Sequence, residues 1–152
     1  MDFRFLEKSC GKMIQIERGG PDQLEGKLLE IRPDHLCIET QDGVMYVNSN
    51  HIKTISEPIL MEITNQGTET EDSKPLVLVE AENFHQLLKN LQHKLVKINQ
   101  AGPNSLEGVL MSIRDDSVTI VHKMKDYVHY PLFHIKTITW IINSHKQEEK
   151  KK

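Results

Sequence analysis

The sequence predicts a mainly β protein with short helices, built as two tandem copies of one unit, a helix followed by five strands. Three observations lead there. The stretch GGPDQLEGKLLEIRPD, Gly19–Asp34, returns as AGPNSLEGVLMSIRDD, Ala101–Asp116. Each copy then closes on the same five residues, HIKTI at His51–Ile55 and again at His134–Ile138. Between these marks, apolar and polar residues alternate over short runs, the period of a half-buried strand. Gly20 to Gly102 is a shift of 82 and His51 to His134 a shift of 83. One residue has been gained in between, and the hairpin around Met124–Asp126 is its expected place. Two units with matched starts and ends mean duplication.

The second copy is the clearer guide to the elements. In Glu82–Gln92 the apolar residues Phe84, Leu87, Leu88 and Leu91 are spaced i, i+3, i+4, i+7, which predicts an amphipathic helix. Its counterpart at Asp2–Ser9 keeps Phe5 and Leu6 where Leu87 and Leu88 stand. A strand follows at Lys12–Glu17 and Lys94–Asn99. The loops RGGPDQ and QAGPNS come next, where Gly19, Gly20 and Pro21, or Gly102 and Pro103, supply turn chemistry. The second strand, Leu24–Ile31 or Leu106–Ile113, carries Gly26 or Gly108 inside it, where glycine marks a bulge, a bend or a close backbone approach. A bend that lets one long strand serve two sheets is the expected reason. After a tight turn, a third strand (Leu36, Ile38; Val118, Ile120) alternates. Hairpins, the first at Asp42-Gly43, lead into Val44–Val47 and Tyr127–Tyr130. The two Ile of each closing motif, Ile52 and Ile55 or Ile135 and Ile138, are three apart. A short helical turn before the last strand would let both face inward. Helix then five strands in about 60 residues is the order of an Sm-like or SH3-like small β-barrel.

The expected domains are a first repeat over 1–63, an acidic linker over 64–75, a second repeat over 76–143 and a frayed tail over 144–152. The linker, NQGTETEDSK at Asn65–Lys74, has no periodicity. Units of this size bury only about 60% of their unfolded surface, so each needs a neighbour. Cys10 and Cys37 have no counterparts in the second copy and make no disulfide framework, which suits a reducing compartment. The N-terminal MDFRFLEKSC does not read as a secretory signal. No apolar run is long enough to span a bilayer.

Candidate chemistry is sparse. His51 and His134 are the histidines that the repeat preserves, and neither has a second ligand at metal spacing; a side chain bonding the turn backbone is the expected role. His122, His129 and His134 could meet across strands, but the first copy lacks the first two. Lys53 and Lys136, with Arg32 and Arg114, are repeated cations, expected either to pair with Asp34 and Asp116 or to lie in solvent. In Sm-like rings comparable loops bind RNA, so an Sm-like RNA-binding protein is the alternative reading. A net charge of −3 and 5% aromatic residues provide neither the basic field nor the stacking platforms for it. No nucleophile, base and acid fall into a set, so the chain is expected not to be an enzyme and to hold no cofactor or metal.

The GGP turn, the Leu-Glu-Gly strand, the closing His-Ile-Lys-Thr-Ile and the intervening E-x-x-x-F-H-x-L-L-x-x-L at Glu80–Leu91 resemble the repeats of the outer spore coat protein B family of endospore-forming bacteria. The likeness runs over about Gly11–Ile142. It implies a non-enzymatic structural protein of the outer spore layers, coat or exosporium, assembled from the mother-cell cytoplasm. Its implied partners are itself and other coat proteins, with neither membrane nor nucleic acid among them. The Ser/Lys-rich C-terminal region of longer family members is replaced here by SHKQEEKKK.

Incompletely closed small barrels leave strand edges unpaired. They are satisfied internally, as a pseudo-twofold pair, or across chains. The apolar runs Ile59–Ile63 and Leu76–Val79 and the segment Trp140–Ile142 are the expected borders. A homo-oligomer is expected, with Ile59, Ile63, Trp140 and Ile141 as candidate interface residues. A mobile linker has a direct consequence: limited proteolysis should cut first at Glu71 or Lys74 and leave two resistant fragments. Resistance of that stretch to several proteases would place the domain boundary elsewhere.

Overall fold

The computed structural model of the chain describes residues 3–41, 43–57, 77–102 and 105–142. In the first copy a 3-10 helix, Arg4–Ser9, precedes β1 (Met13–Ile16), β2 (Leu24–Ile31), β3 (His35–Thr40), β4 (Gly43–Asn48) and β5 (Ile55–Ser56). The second copy runs α1 (Phe84–Asn90), β6 (Leu95–Ile98), β7 (Leu106–Ile113), β8 (Ser117–His122), β9 (Asp126–Pro131) and β10 (Thr137–Trp140). The predicted helical turn before the last strand is present in both, as 3-10 turns at Ser49–His51 and Leu132–His134. The gained residue lies in the β8–β9 hairpin, where Lys123 and Met124 both take positive φ, 53° and 57°. The linker Asn65–Lys74, the run Ile59–Ile63, Pro103 and the tail lie outside the described residues.

The copies repeat their ladders as well as their elements. Met13 pairs with Lys27 on β1–β2, and Leu95 with Val109 on β6–β7, the same register one repeat on. Both long strands shift register against their neighbour, between Leu28 and Glu30 and between Leu110 and Ser112. The irregularity therefore falls past Gly26 and Gly108, not at them. Those glycines are needed for close approach. A Cβ on Gly26 would stand 2.5 Å from the Glu39 carbonyl oxygen and 2.6 Å from Ile38 Cγ2. A Cβ on Gly108 would run into the Val121 oxygen and Ile120 in the same way.

All ten strands form one antiparallel sheet in the order β5-β1-β2-β3-β4-β10-β6-β7-β8-β9. Closure of the small barrel expected for each copy is not found: no described ladder joins β4 to β5 or β9 to β10. The outer edge of β4 is taken instead by β10 of the other copy. Trp140 and Ile141, expected at an interface, stand at the end of β10. Trp140 pairs with Val96, Ile141 donates to the Leu95 oxygen (2.9 Å), and Lys94 lies over the indole at 4.9 Å. They continue β10 along β6, past its last pair with β4, Thr139 opposite Met45. Val77–Val79 forms no strand; Val79 N–H donates to Tyr46 Oη (2.9 Å).

Two apolar clusters result. One lies within the first copy, with Phe3, Leu6, Ile14, Ile16, Leu28, Leu36 and Ile38. The other is centred on α1 and mixes the copies: Phe84, Leu87, Leu88 and Leu91 pack with Val96, Leu110 and Ile138 and also with Cys37, Val44 and Tyr46 of the first copy. This explains why β3 does not alternate as its sequence suggests. His35, Leu36, Cys37 and Ile38 are all buried, because α1 covers the face that would otherwise meet water. The helix is anchored through the loop before β3, where Asp34 accepts the Phe84 N–H with both carboxylate oxygens (2.8 and 3.0 Å). Asn83 caps the Gln86 N–H (2.8 Å). His35 is fully buried beside them, with Nδ1 3.0 Å from Asp34 and its ring 5.8 Å from that of Phe84.

Two outcomes follow. Gly108→Ala should cost at least about 1–3 kcal/mol, since the obstacle includes backbone that cannot swing aside. Denaturant unfolding checks it, and a variant unfolding with the parent would remove close approach as the reason for the glycine. His35 supplies the second. Burial, partly countered by Asp34, lowers its pKa below the ordinary histidine value of about 6.5. The folded chain then resists the proton that the unfolded chain accepts. Stability is complete above that pH and falls as the pH drops through it. His35→Leu should lose less stability than the parent between pH 7.5 and 5.5 in thermal melts; parallel losses would contradict the assignment.

Candidate functional site

The repeated motifs meet one another where the copies join. β10 lies antiparallel on β4, with Thr137 opposite Val47, Ile138 opposite Tyr46 and Thr139 opposite Met45. Beyond that ladder, Asn48 N–H donates to the Lys136 oxygen (2.8 Å) and Asn48 Nδ2 to the Ile135 oxygen (3.0 Å). Asn48 is buried, so these bonds satisfy groups that water cannot reach.

Around the ladder, each signature motif of one copy finds a partner in the other. Lys136 Nζ donates to Asp22 of the first GGPD loop (2.8 Å). Gln100 Nε2 donates to the Gln23 oxygen (2.8 Å) and to the Pro21 oxygen (3.4 Å), and Gly102 faces Pro21. His51 Nε2 donates to the Phe133 oxygen in the 3-10 turn of the second closing motif, with the two rings 5.2 Å apart. The expected role of His51, bonding a turn backbone, is thus realised across the copies and not within one. Sequence reasoning treated the turn and closing motifs as separate structural features. The signal that could have united them is their joint repetition.

Each motif is held in place locally. Gly20 and Gly102 take φ of 87° and 91°, which the turn requires of them. Ile135 and Ile138 are buried in the helix-centred cluster, while Ile52 and Ile55 pack at the margin of the first. Glu17 and Asn99 occupy one position of the two copies, both with positive φ (62° and 61°). Glu17 accepts the N–H groups of Lys53 and Thr54 (3.0 and 3.1 Å). Asn99 Oδ1 accepts those of Lys136 and Thr137 (2.7 and 3.3 Å).

The cations do not pair as expected. Arg32 meets Glu30 (2.6 Å) and Glu80 (3.5 Å), because Asp34 is engaged by α1 and His35. Arg114 donates to Thr119 Oγ1 (2.6 Å) and Ser117 Oγ (3.1 Å). Nor do the histidines gather: His122 donates to the Glu107 oxygen (3.0 Å), and His129 meets Thr119 (2.9 Å). Among the described residues no three His, Cys, Asp or Glu side chains come together to hold a metal. Cys37 is buried beside Glu30, and its thiol is pushed up to about 12, so it stays protonated and poorly nucleophilic.

A cleft of about 560 Å³ opens next to the junction, between Pro21 and Asp22 on one side and Val128, His129 and Tyr130 of β9 on the other. His134 and Lys136 line it as well. Ladder pairing, backbone carbonyls and an ion pair give this region the means to hold polypeptide against polypeptide.

Residues 3–56, the first copy, match the family model described as a domain of unknown function, DUF2642. The chain is 37% identical over 142 residues to Spore coat protein B of Bacillus subtilis (strain 168), a match covering 91% of this chain and 35% of the relative. The chain therefore spans about a third of that relative's length. No described helix is long and apolar enough to cross a membrane. The family resemblance carried by the repeated turn and closing motifs is thus found in the whole-chain comparison: this chain is similar to Spore coat protein B over nine-tenths of its own length.

Proposed function

We propose that this chain is a non-enzymatic structural and assembly unit of the outer layers of the bacterial spore, coat or exosporium. It acts through self-association and by docking onto other coat proteins. The observation that carries the reading is the relationship to Spore coat protein B over 91% of the chain. The geometry supports it in kind. The repeated residues Lys136 and His51, together with Asp22 and Asn48, are engaged in joining one copy to the other. A protein whose signature residues hold one copy of the fold against another suits a layer made of many such contacts. Catalysis would need those groups directed at a substrate.

The division into a first repeat over 1–63 and a second over 76–143, with a linker between, belongs to this proposal. In it the two repeats form one assembly unit, not two separately acting domains.

Immunogold labelling of sectioned spores tests the function. Label is expected over the outer spore layers and in the mother cell before they are complete. Label confined to the forespore core or to vegetative cytoplasm would overturn the reading.

A further inference from the structure

The junction between the copies is head-to-tail. It uses the β4 side of the first copy and the β10 side of the second, two different surfaces. The equivalent surfaces at the far ends are β9, which occupies the β4 position, and β5, which occupies the β10 position. Among the described residues these are the two ends of the sheet. From this repetition we infer that a second copy of this chain places its β5 on the free edge of β9, reproducing the internal junction between chains. The inference rests on the proposed self-association and deepens it by naming the two edges and their register.

The repeat shift fixes that register. Met45, Tyr46 and Val47 correspond to Val128, His129 and Tyr130; Thr137, Ile138 and Thr139 correspond to Thr54, Ile55 and Ser56. The internal pairs therefore translate into Tyr130 opposite Thr54, His129 opposite Ile55 and Val128 opposite Ser56 of the second copy. Hydrogen-bonded positions alternate along an antiparallel ladder. Since Asn48 N–H donates to the Lys136 oxygen, Tyr46 and Ile138 sit at the next bonded position. By the same alternation the backbone groups of His129 and Ile55 face outward. The cleft lined by Val128, His129 and Tyr130 is the space beside that edge.

Exposed side chains fall where the repetition needs them. Leu87 and Val44 are buried in the cluster that joins the copies. Their counterparts are Phe5 and Tyr127, which are 62% and 71% exposed. By the repeat correspondence, Phe5 of the first helix and Tyr127 at the start of β9 take the places of Leu87 and Val44 in the repeated junction. The motif residues point the same way. His51 and Lys136 serve the internal junction, whereas their counterparts His134 and Lys53 are exposed and have no side-chain hydrogen bond among the described residues. In the repeated contact, His134 faces the backbone of Asn50, which replaces Phe133. One bond is lost: Pro131 stands at the position of Asn48 and has no N–H to donate. Proline is a common restraint on strand edges. It makes the contact between chains weaker than the contact within one.

A head-to-tail contact of this kind builds a ring or a filament, not a twofold dimer. The test uses the full chain with Cys10→Ser, carrying Ser56→Cys and Val128→Cys. Mild oxidation is expected to give a ladder of covalent multimers, while Ser56→Cys with Tyr127→Cys, one residue out of register, gives much less. Mixing the two single variants should yield the cross-linked pair. Pro131→Asn restores the missing donor and should tighten self-association measured by light scattering about 2–10-fold, the worth of one hydrogen bond. Multimers by light scattering without the in-register cross-link would overturn these edges and leave self-association standing. A chain that is monomeric throughout yet labels the spore surface would overturn the inference and leave the spore-layer reading intact.

Discussion

The structure depends on β10 lying on β4. Without that ladder β4 would end the first sheet with a row of unpaired backbone groups, and β10 would be held on one side only. The ladder alone is not what makes the union strong. A backbone hydrogen bond contributes a net ~0.5–1.5 kcal/mol, and only three residue pairs are in register. Burying a large apolar side chain contributes ~1.5–3 kcal/mol, and α1 buries Phe84, Leu87, Leu88 and Leu91 in a cluster that includes Cys37, Val44 and Tyr46 of the other copy. The helix therefore supplies most of the adhesion, and the ladder sets the register. Asp34 links the two, since it accepts the first N–H of α1 from a loop beside β3.

Because the junction joins unlike surfaces, the two copies are not equivalent even though their ladders repeat. The pseudo-twofold pairing allowed by the sequence is excluded by the strand order, in which the β4 edge of one copy meets the β10 edge of the other. Half of each paired motif faces the junction and half faces away. The environments of the two halves then differ as the geometry requires. β4 is buried over nearly its whole length, and β9 is largely exposed. A twofold arrangement would have buried the same residues in both.

How much of this was legible in the residues differs by level. The strands and α1 were legible because alternation and the i, i+3, i+4, i+7 spacing report directly on which side chains avoid water. The turns before β5 and β10 were legible from two Ile that a strand cannot both bury. Which strand pairs across the copies was not legible, because ladder bonds are made by backbone groups common to every residue. Trp140 shows the consequence: an apolar strand end reads the same whether it borders solvent or another strand. The buried outer face of β3 was missed for a related reason. Cys37 and His35 are not strongly apolar, and only the arrival of α1 from the other copy buries them.

Where the copies differ in sequence, they differ in the work their positions do. At Glu17 and Asn99 the shared task is to accept two N–H groups from the closing motif, which a carboxylate and an amide oxygen perform alike. Only the amide can also donate. Asn99 Nδ2 does so, to Tyr130 Oη (2.6 Å) and to the His134 oxygen (3.3 Å). The residue of the first copy at the position of Tyr130 is Val47, which has no polar atom to receive such a bond. β10 already covers it. Among the described residues no strand lies beyond β9 in the sheet, and a side-chain bond from Asn99 holds its tyrosine where the first copy relies on a neighbouring strand. The substitution of Glu by Asn and that of Val by Tyr are thus one change, and it marks the second copy as the one whose outer edge must hold its shape without a neighbouring strand from the described part of the same chain.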